Sequence, residues 1–166
     1  MTSRPILPHL RFDDATPPDT DQLDHGILHE FVGLYLRRAY ETAYDDFRAR
    51  LGEQALKPGY FTILTLIVHN PRITQTQIGL ASARDKTAVT NALRWMEDNG
   101  LIRRHLSSRD RRTHMCVATP AGVDMQARME AQALAHLQAI NDAIGRERHA
   151  EFIQTLKDLV AALQRD

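Results

Sequence analysis

Three runs follow one another in this chain: Thr74-Gln-Thr-Gln-Ile-Gly-Leu-Ala-Ser82, Asp85-Lys-Thr-Ala-Val-Thr-Asn-Ala-Leu-Arg-Trp-Met-Glu-Asp-Asn-Gly100 and Leu101-Ile-Arg-Arg-His-Leu106. Ser107-Ser-Arg-Asp-Arg-Arg112 and Thr113-His-Met-Cys-Val-Ala-Thr119 complete the stretch. Thr74 suits the N-cap of a short helix ending near Ala81, and Asp85 that of a longer helix running to Asp98, because a short side-chain oxygen can accept from the free backbone N–H groups there. Ala88, Val89, Ala92, Leu93 and Met96 recur at helical spacing and form the inward face of the longer helix. Asn99-Gly100 ends it, with glycine in the left-handed conformation a helix C-terminus favours. Residues 101–106 and 113–118 read as two strands around a polar, charged tip. A short helix, a longer amphipathic one and a hairpin make a winged helix-turn-helix, a pattern that implies DNA binding.

Outward from this stretch the chain reads as helical. From His25 to Leu51, Ile27, Phe31 and Leu34, then Tyr40, Tyr44, Phe47 and Leu51, recur at spacings of three and four. Leu28, Val32 and Leu36 widen that stripe, which suggests two buried faces, one toward the protomer and one toward a partner. Gly52 ends this helix, and Lys57-Pro58-Gly59 opens the next. Tyr60 to Val68 is almost wholly apolar and belongs in the centre, and Asn70-Pro71 stops it. Thr119 caps a long helix with Pro120 at its first position and a stripe of Met125, Met129, Ala133, Leu137, Ile140 and Ile144. After Gly145 a last helix carries Phe152, Leu156, Leu159, Val160 and Leu163. Residues 1–24, with four prolines and five aspartates, read as an N-terminal arm. The expected fold class is mainly α with a small β-hairpin wing (α+β). The winged helix-turn-helix occupies 58–119, and a helical dimerisation region combines 25–57 with 120–166. Apolar helix faces so far apart in sequence are most simply satisfied by a second copy, giving a twofold dimer.

The 166 residues carry no net charge, but the charge is unevenly placed. Residues 84–115 hold 8 Lys+Arg against 4 Asp+Glu, and the remainder 13 against 17. A homodimer would present two basic lobes on a mildly acidic body, which concentrates phosphate attraction on the lobes. No run approaches the ~18 apolar residues of a membrane span. No secretory signal is visible, and a single cysteine cannot close an internal disulfide, so a cytoplasmic location is the default. The sequence shows no Gly-rich phosphate loop, no nucleophile elbow and no convincing metal set, so an enzyme is not expected.

Asn99-Gly-Leu-Ile-Arg103, Asp110-Arg-Arg112 and Thr119-Pro-Ala-Gly122 together resemble the MarR family of winged helix-turn-helix regulators, and the likeness covers about residues 28–163. Ala118 replaces the leucine usual before the threonine, and Asn91 stands where many members carry arginine. The resemblance implies that the second helix of the motif enters the major groove while the wing tip reaches the adjacent minor groove. Lys86, Thr87, Thr90, Asn91 and Arg94 then face bases. Asparagine can bond bidentately to adenine, threonine methyls can touch thymine methyls, and Lys or Arg can reach guanine or phosphate. Arg112 matches the family's minor-groove arginine, with Asp110 orienting its guanidinium. Arg109 and Arg111 are assigned to phosphate, as are Thr76 and Arg84 at the groove edge.

The resemblance also implies an effector crevice, for which Arg37, Arg38, Tyr40, Tyr44, Phe61, His69 and Trp95 are the candidates. Aromatic walls with cationic anchors suit a planar aromatic carboxylate or its acyl-CoA thioester. Tyr40, Tyr44 and Phe47 also fit a plain core stripe. Cys116, with His114 two positions away, raises a redox-responsive alternative, set against a small buried hydrophobe on the second wing strand. His25 and His29 beside Glu30 raise a metal-responsive one, although no second cluster completes four ligands; His69, His105 and His149 are scattered. The expectation is therefore a homodimeric repressor of a pseudo-palindromic operator on double-stranded DNA, released by a small organic effector and needing no cofactor. An effector-binding or protein-interaction module that has lost DNA binding is the rival.

Overall fold

The computed structural model describes residues 19, 21, 23–52, 56–106 and 114–164. Most of the expected N-terminal arm, and the wing-tip residues Arg109, Asp110, Arg111 and Arg112, lie outside them. The chain divides into two compact units between Arg38 and Ala39, within its first α-helix.

The first unit holds a 3-10 turn over Gly26–Glu30 and the beginning of α1 (Val32–Leu51). The continuous helix expected from His25 is interrupted: Asp24 Oδ1 accepts from Gly26 N–H at 2.8 Å, Gly26 has φ +50°, and Phe31 is extended at ψ 93°. Glycine adopts that positive φ without the Cβ penalty, so the helix starts again at Val32 rather than running through. Phe31, Val32, Tyr35 and Leu36 are exposed.

The second unit contains the rest of α1 followed by α2 (Pro58–His69), β1 (Ile73–Thr74), α3 (Gln75–Ser82), α4 (Lys86–Asp98), β2 (Ile102–Leu106), β3 (His114–Ala118), α5 (Pro120–Ile144) and α6 (His149–Leu163). Ile63, Leu64 and Ile67 of α2 are fully buried, as its apolar run requires. They join Ile78, Val89, Leu93, Met96, Ile102, Cys116 and Met129 in one core. The expected hairpin is present, β2 antiparallel to β3 with Arg104 opposite Cys116. A third strand was not foreseen: β1 pairs with the other edge of β3, placing Ile73 opposite Cys116 and Thr74 opposite Met115. The residues of β1 lie immediately before α3, so the wing sheet runs directly into the helix-turn-helix.

Helix termini carry the geometry. Thr74 and Gln77 form a reciprocal capping box at the start of α3. Asp85 accepts from Ala88 N–H at 2.8 Å at the start of α4. Gly100 follows α4 with φ +69°. Thr119 accepts from Gly122 N–H and donates to Gly100 C=O, tying the entry of α5 to the exit of α4.

Candidate nucleic-acid interface

One face of α4 is buried and the other is free. Val89, Ala92, Leu93 and Met96 have no exposure, whereas Lys86, Thr87, Asn91 and Arg94 are exposed. This split follows from the 3.6-residue period: the apolar positions seat α4 on α2 and the sheet, leaving the polar positions outward. Thr76 of α3 is exposed next to them. A cavity of about 760 Å3 opens here, lined by Thr74, Gln75, Thr76, Arg84, Lys86 and His114 among others, with Gln164 beyond α6 at its edge. The structure therefore brings Thr76, Lys86, Thr87, Thr90, Asn91 and Arg94 onto α3 and α4 in one continuous helix-turn-helix.

Two of the expected contact residues are placed differently from the others. Thr90 is half-buried, and its hydroxyl is already engaged: it donates to Lys86 C=O at 2.7 Å and accepts from the Gln75 side-chain amide at 2.6 Å. Arg84 folds back over the start of α2, where a Cβ on Gly59 would fall 2.0 Å from a guanidinium nitrogen. The glycine of Pro58-Gly59, read from sequence only as a helix start, makes room for that guanidinium.

The wing is braced against α4 by an ion pair the sequence reading missed. Arg104 of β2 donates to Glu97 through Nε at 2.6 Å, through Nη2, and through its backbone N–H at 3.3 Å. The bond from Arg104 holds the Glu97 carboxyl below its usual range, and the arginine is raised in turn. Arg103 and His105 alternate with Arg104 and are exposed. The signal lay in the seven-residue spacing across Asn99-Gly100, legible only once the turn geometry is known.

Cys116 has no solvent exposure, and burial pushes its thiol up to about 11. A thiol in that state is a core hydrophobe rather than a reactive thiolate. His29 is engaged locally, its Nδ1 with Gly26 C=O and its Nε2 3.6 Å from Glu30. Among the described residues no three His, Cys, Asp or Glu side chains converge to hold a metal ion.

The expected effector residues are divided between the two units. Arg37 and Arg38 belong to the first unit. In the second, Tyr40 and Tyr44 lie together on α1, ring centres 6.1 Å apart, lining a shallow hollow with Glu41 and Asp45. Phe61 meets Phe47 edge-on at 5.5 Å. His69 is exposed at the opposite end of α2, about 12 Å along the axis from Phe61 at 1.5 Å per residue. Trp95 lies against Tyr60 at 5.5 Å. Sequence reasoning did not anticipate the cluster beside Phe61. There Phe47 stacks on His136 at 5.0 Å, and Asp46 receives His136 Nδ1 at 2.7 Å and Arg50 Nε at 2.6 Å. Hydrogen bonds from Arg50 and then His136 hold the Asp46 carboxyl down at about 2.

Comparison with known proteins finds several that this chain is similar to. Residues 56–114 match the model of the MarR family. The chain is 29% identical over 142 residues to a Thauera aromatica protein assigned as a transcriptional regulatory protein for the hcr operon, covering 85% of this chain and 86% of that protein. The transcriptional repressor CouR bound to a 23-mer DNA duplex superposes with a TM-score of 0.76 at 28% identity, covering 84% of this chain and 99% of CouR. CouR bound to p-coumaroyl-CoA gives 0.74 at 26% identity, with 84% and 98% covered. The PcaV regulator of Streptomyces coelicolor shares the fold, with a TM-score of 0.76 at 17% identity and 86% and 100% covered.

Proposed function

We propose that this chain is a MarR-family transcriptional regulator, a homodimeric repressor acting in the cytoplasm that reads a pseudo-palindromic operator and is released by a small organic effector; the similarity over residues 56–114 and to CouR supports this reading. The observation that carries the DNA-reading part is the exposed row Lys86, Thr87, Asn91 and Arg94 on a helix whose other face is fully buried. Such a helix is held rigidly while its polar groups are free to meet base edges. Thr76 at the start of α3 supplies a phosphate contact beside it. Arg84 has its guanidinium over Gly59 and serves first to fix the helix-turn-helix on α2. The wing-tip residues Arg109, Asp110, Arg111 and Arg112 complete the reading head, with Arg112 in the minor groove.

The effector is an aromatic carboxylate or its CoA thioester. Its support is the similarity to CouR, which binds p-coumaroyl-CoA. An effector that favours a protomer arrangement with the wrong spacing of reading heads lowers operator affinity. Tenfold release needs ~1.4 kcal/mol of differential binding between the two arrangements.

The test is a fluorescence-anisotropy titration against the DNA upstream of the coding region and against random duplexes carried through selection. The expected result is tight, salt-sensitive, sequence-selective binding, weakened by an aromatic acid or its CoA thioester. Equal affinity for every duplex, before and after selection, would refute the regulator reading in favour of a module that has kept the fold without DNA. Selective binding untouched by every aromatic acid and thioester would refute the effector class alone.

A further inference from the structure

We propose that Gln75, at the first position of α3, is a specificity-determining positioning residue: it holds the Thr90 hydroxyl so that Thr90 reads DNA through its methyl group. The inference rests on the DNA-binding reading above and deepens it. A hydroxyl has one proton to donate and two lone pairs to receive. The Thr90 proton goes to Lys86 C=O at 2.7 Å, and one lone pair takes the Gln75 amide N–H at 2.6 Å. Nothing remains for Thr90 to donate to a base. What it keeps for a partner is its methyl and a single acceptor site.

The methyl needs a fixed direction to be of use. A threonine in a helix divides between two χ1 rotamers because its hydroxyl can reach the preceding turn in more than one way. The bond from Gln75 selects one of them, since only that rotamer keeps the oxygen within reach of the amide. Gln75 is itself anchored. It follows Thr74, whose capping box with Gln77 fixes the first turn of α3 and whose backbone pairs with Met115 of the wing sheet. Rigid support therefore runs from the sheet through Thr74 and Gln75 to the middle of the recognition helix. The partner chemistry that fits an oriented methyl in the major groove is the C5-methyl of thymine.

The experiment replaces thymines with deoxyuridine, one at a time, in the operator selected by the parent protein. At one thymine per half-site the parent should lose about fourfold in affinity, the worth of one methyl-sized apolar contact at ~0.8 kcal/mol. Gln75→Ala should erase that difference between thymine and deoxyuridine, whatever it does to overall affinity. Thr90→Ser, which keeps the hydroxyl and removes the methyl, should erase it too. Thr90→Val should keep it, and should restore it in the Gln75→Ala background, because valine in a helix has one dominant rotamer and needs no amide to hold it. A merely structural role for Gln75 would not be rescued in this way. Selective binding with no deoxyuridine-sensitive position that Thr90→Ser erases, or a sensitivity at that position that survives Gln75→Ala, overturns this inference and leaves the regulator reading standing. Absence of selective binding by the parent overturns both.

Discussion

Gly122 shows how closely the entry of α5 is fitted. A Cβ there would stand 2.0 Å from the Leu101 carbonyl oxygen, which already accepts from Thr119 N–H at 2.9 Å. Helix propensity alone would make Gly122→Ala stabilising by ~1 kcal/mol. The contact is with backbone, which cannot swing aside, and forcing an added carbon into a packed site costs ~1–3 kcal/mol. Gly122→Ala is therefore expected to lower the thermal midpoint, with a net loss of up to about 2 kcal/mol. A midpoint equal to or above the parent's would show that α5 can slide away from the wing. Residues of this kind were partly legible. The Thr119-Pro-Ala-Gly122 motif was recognisable, but the reason for its glycine was not, because Leu101 is brought there only by the turn at Gly100. Thr90 and Arg84 were read as free contacts for the same cause. Their partners, Gln75 and Gly59, are remote in sequence and have no periodic relation to them.

Elements were more legible than their connections. Boundaries of α2, α3, α4 and the two wing strands follow from caps and apolar period, which are local properties. The break before α1 and the added strand β1 do not. The first depends on Asp24 drawing Gly26 into a turn, and the second on β3 offering a second edge to a two-residue segment too short to show alternation. The tie between α1 and α5 is equally non-local. Asp46 and His136 are 90 positions apart, and their bond, with that from Arg50, sets the Asp46 carboxyl at about 2 against an ordinary 3.8. A carboxylate whose folded pKa lies below its unfolded one stabilises fully above the unfolded value and loses that contribution as pH falls through the folded one. Asp46→Asn should accordingly be less stable than the parent near neutrality, and the gap should close as pH falls from about 4 to about 2. Urea midpoints for both proteins across that range provide the check. A gap that stays constant with pH would assign the loss to packing around Phe47 rather than to charge.

At the scale of the whole molecule, the outstanding fact is apolar surface exposed on several helices among the described residues. Within the second unit α6 follows a 3-10 turn over Arg146–Arg148, and Phe152, Ile153, Val160 and Leu163 are exposed along it, Leu163 to 70%. Leu134 and Leu137 of α5 are exposed as well, as are Phe31, Val32, Tyr35 and Leu36 in the first unit. Isolated exposed leucines need no explanation, but rows of them on successive helices mark an interaction surface. The proposed homodimer answers this surface and also the operator, since a twofold protein presents two recognition helices to half-sites centred about one helical turn, ~10 bp, apart. Two heads on one body bind with an avidity that can exceed a single head by ~100-fold or more. Light scattering should give twice the chain mass for the parent. Leu134→Asp combined with Val160→Asp should give the chain mass and weaken operator binding at least ~100-fold, while a duplex carrying one half-site is bound about equally by both proteins. The half-site control matters because a variant that has unfolded loses both duplexes, whereas one that has only lost its partner keeps the single-site affinity. A double variant that remains a dimer with parental operator affinity would remove α5 and α6 from the interface. A monomer with unchanged operator affinity would show that the two heads do not act together.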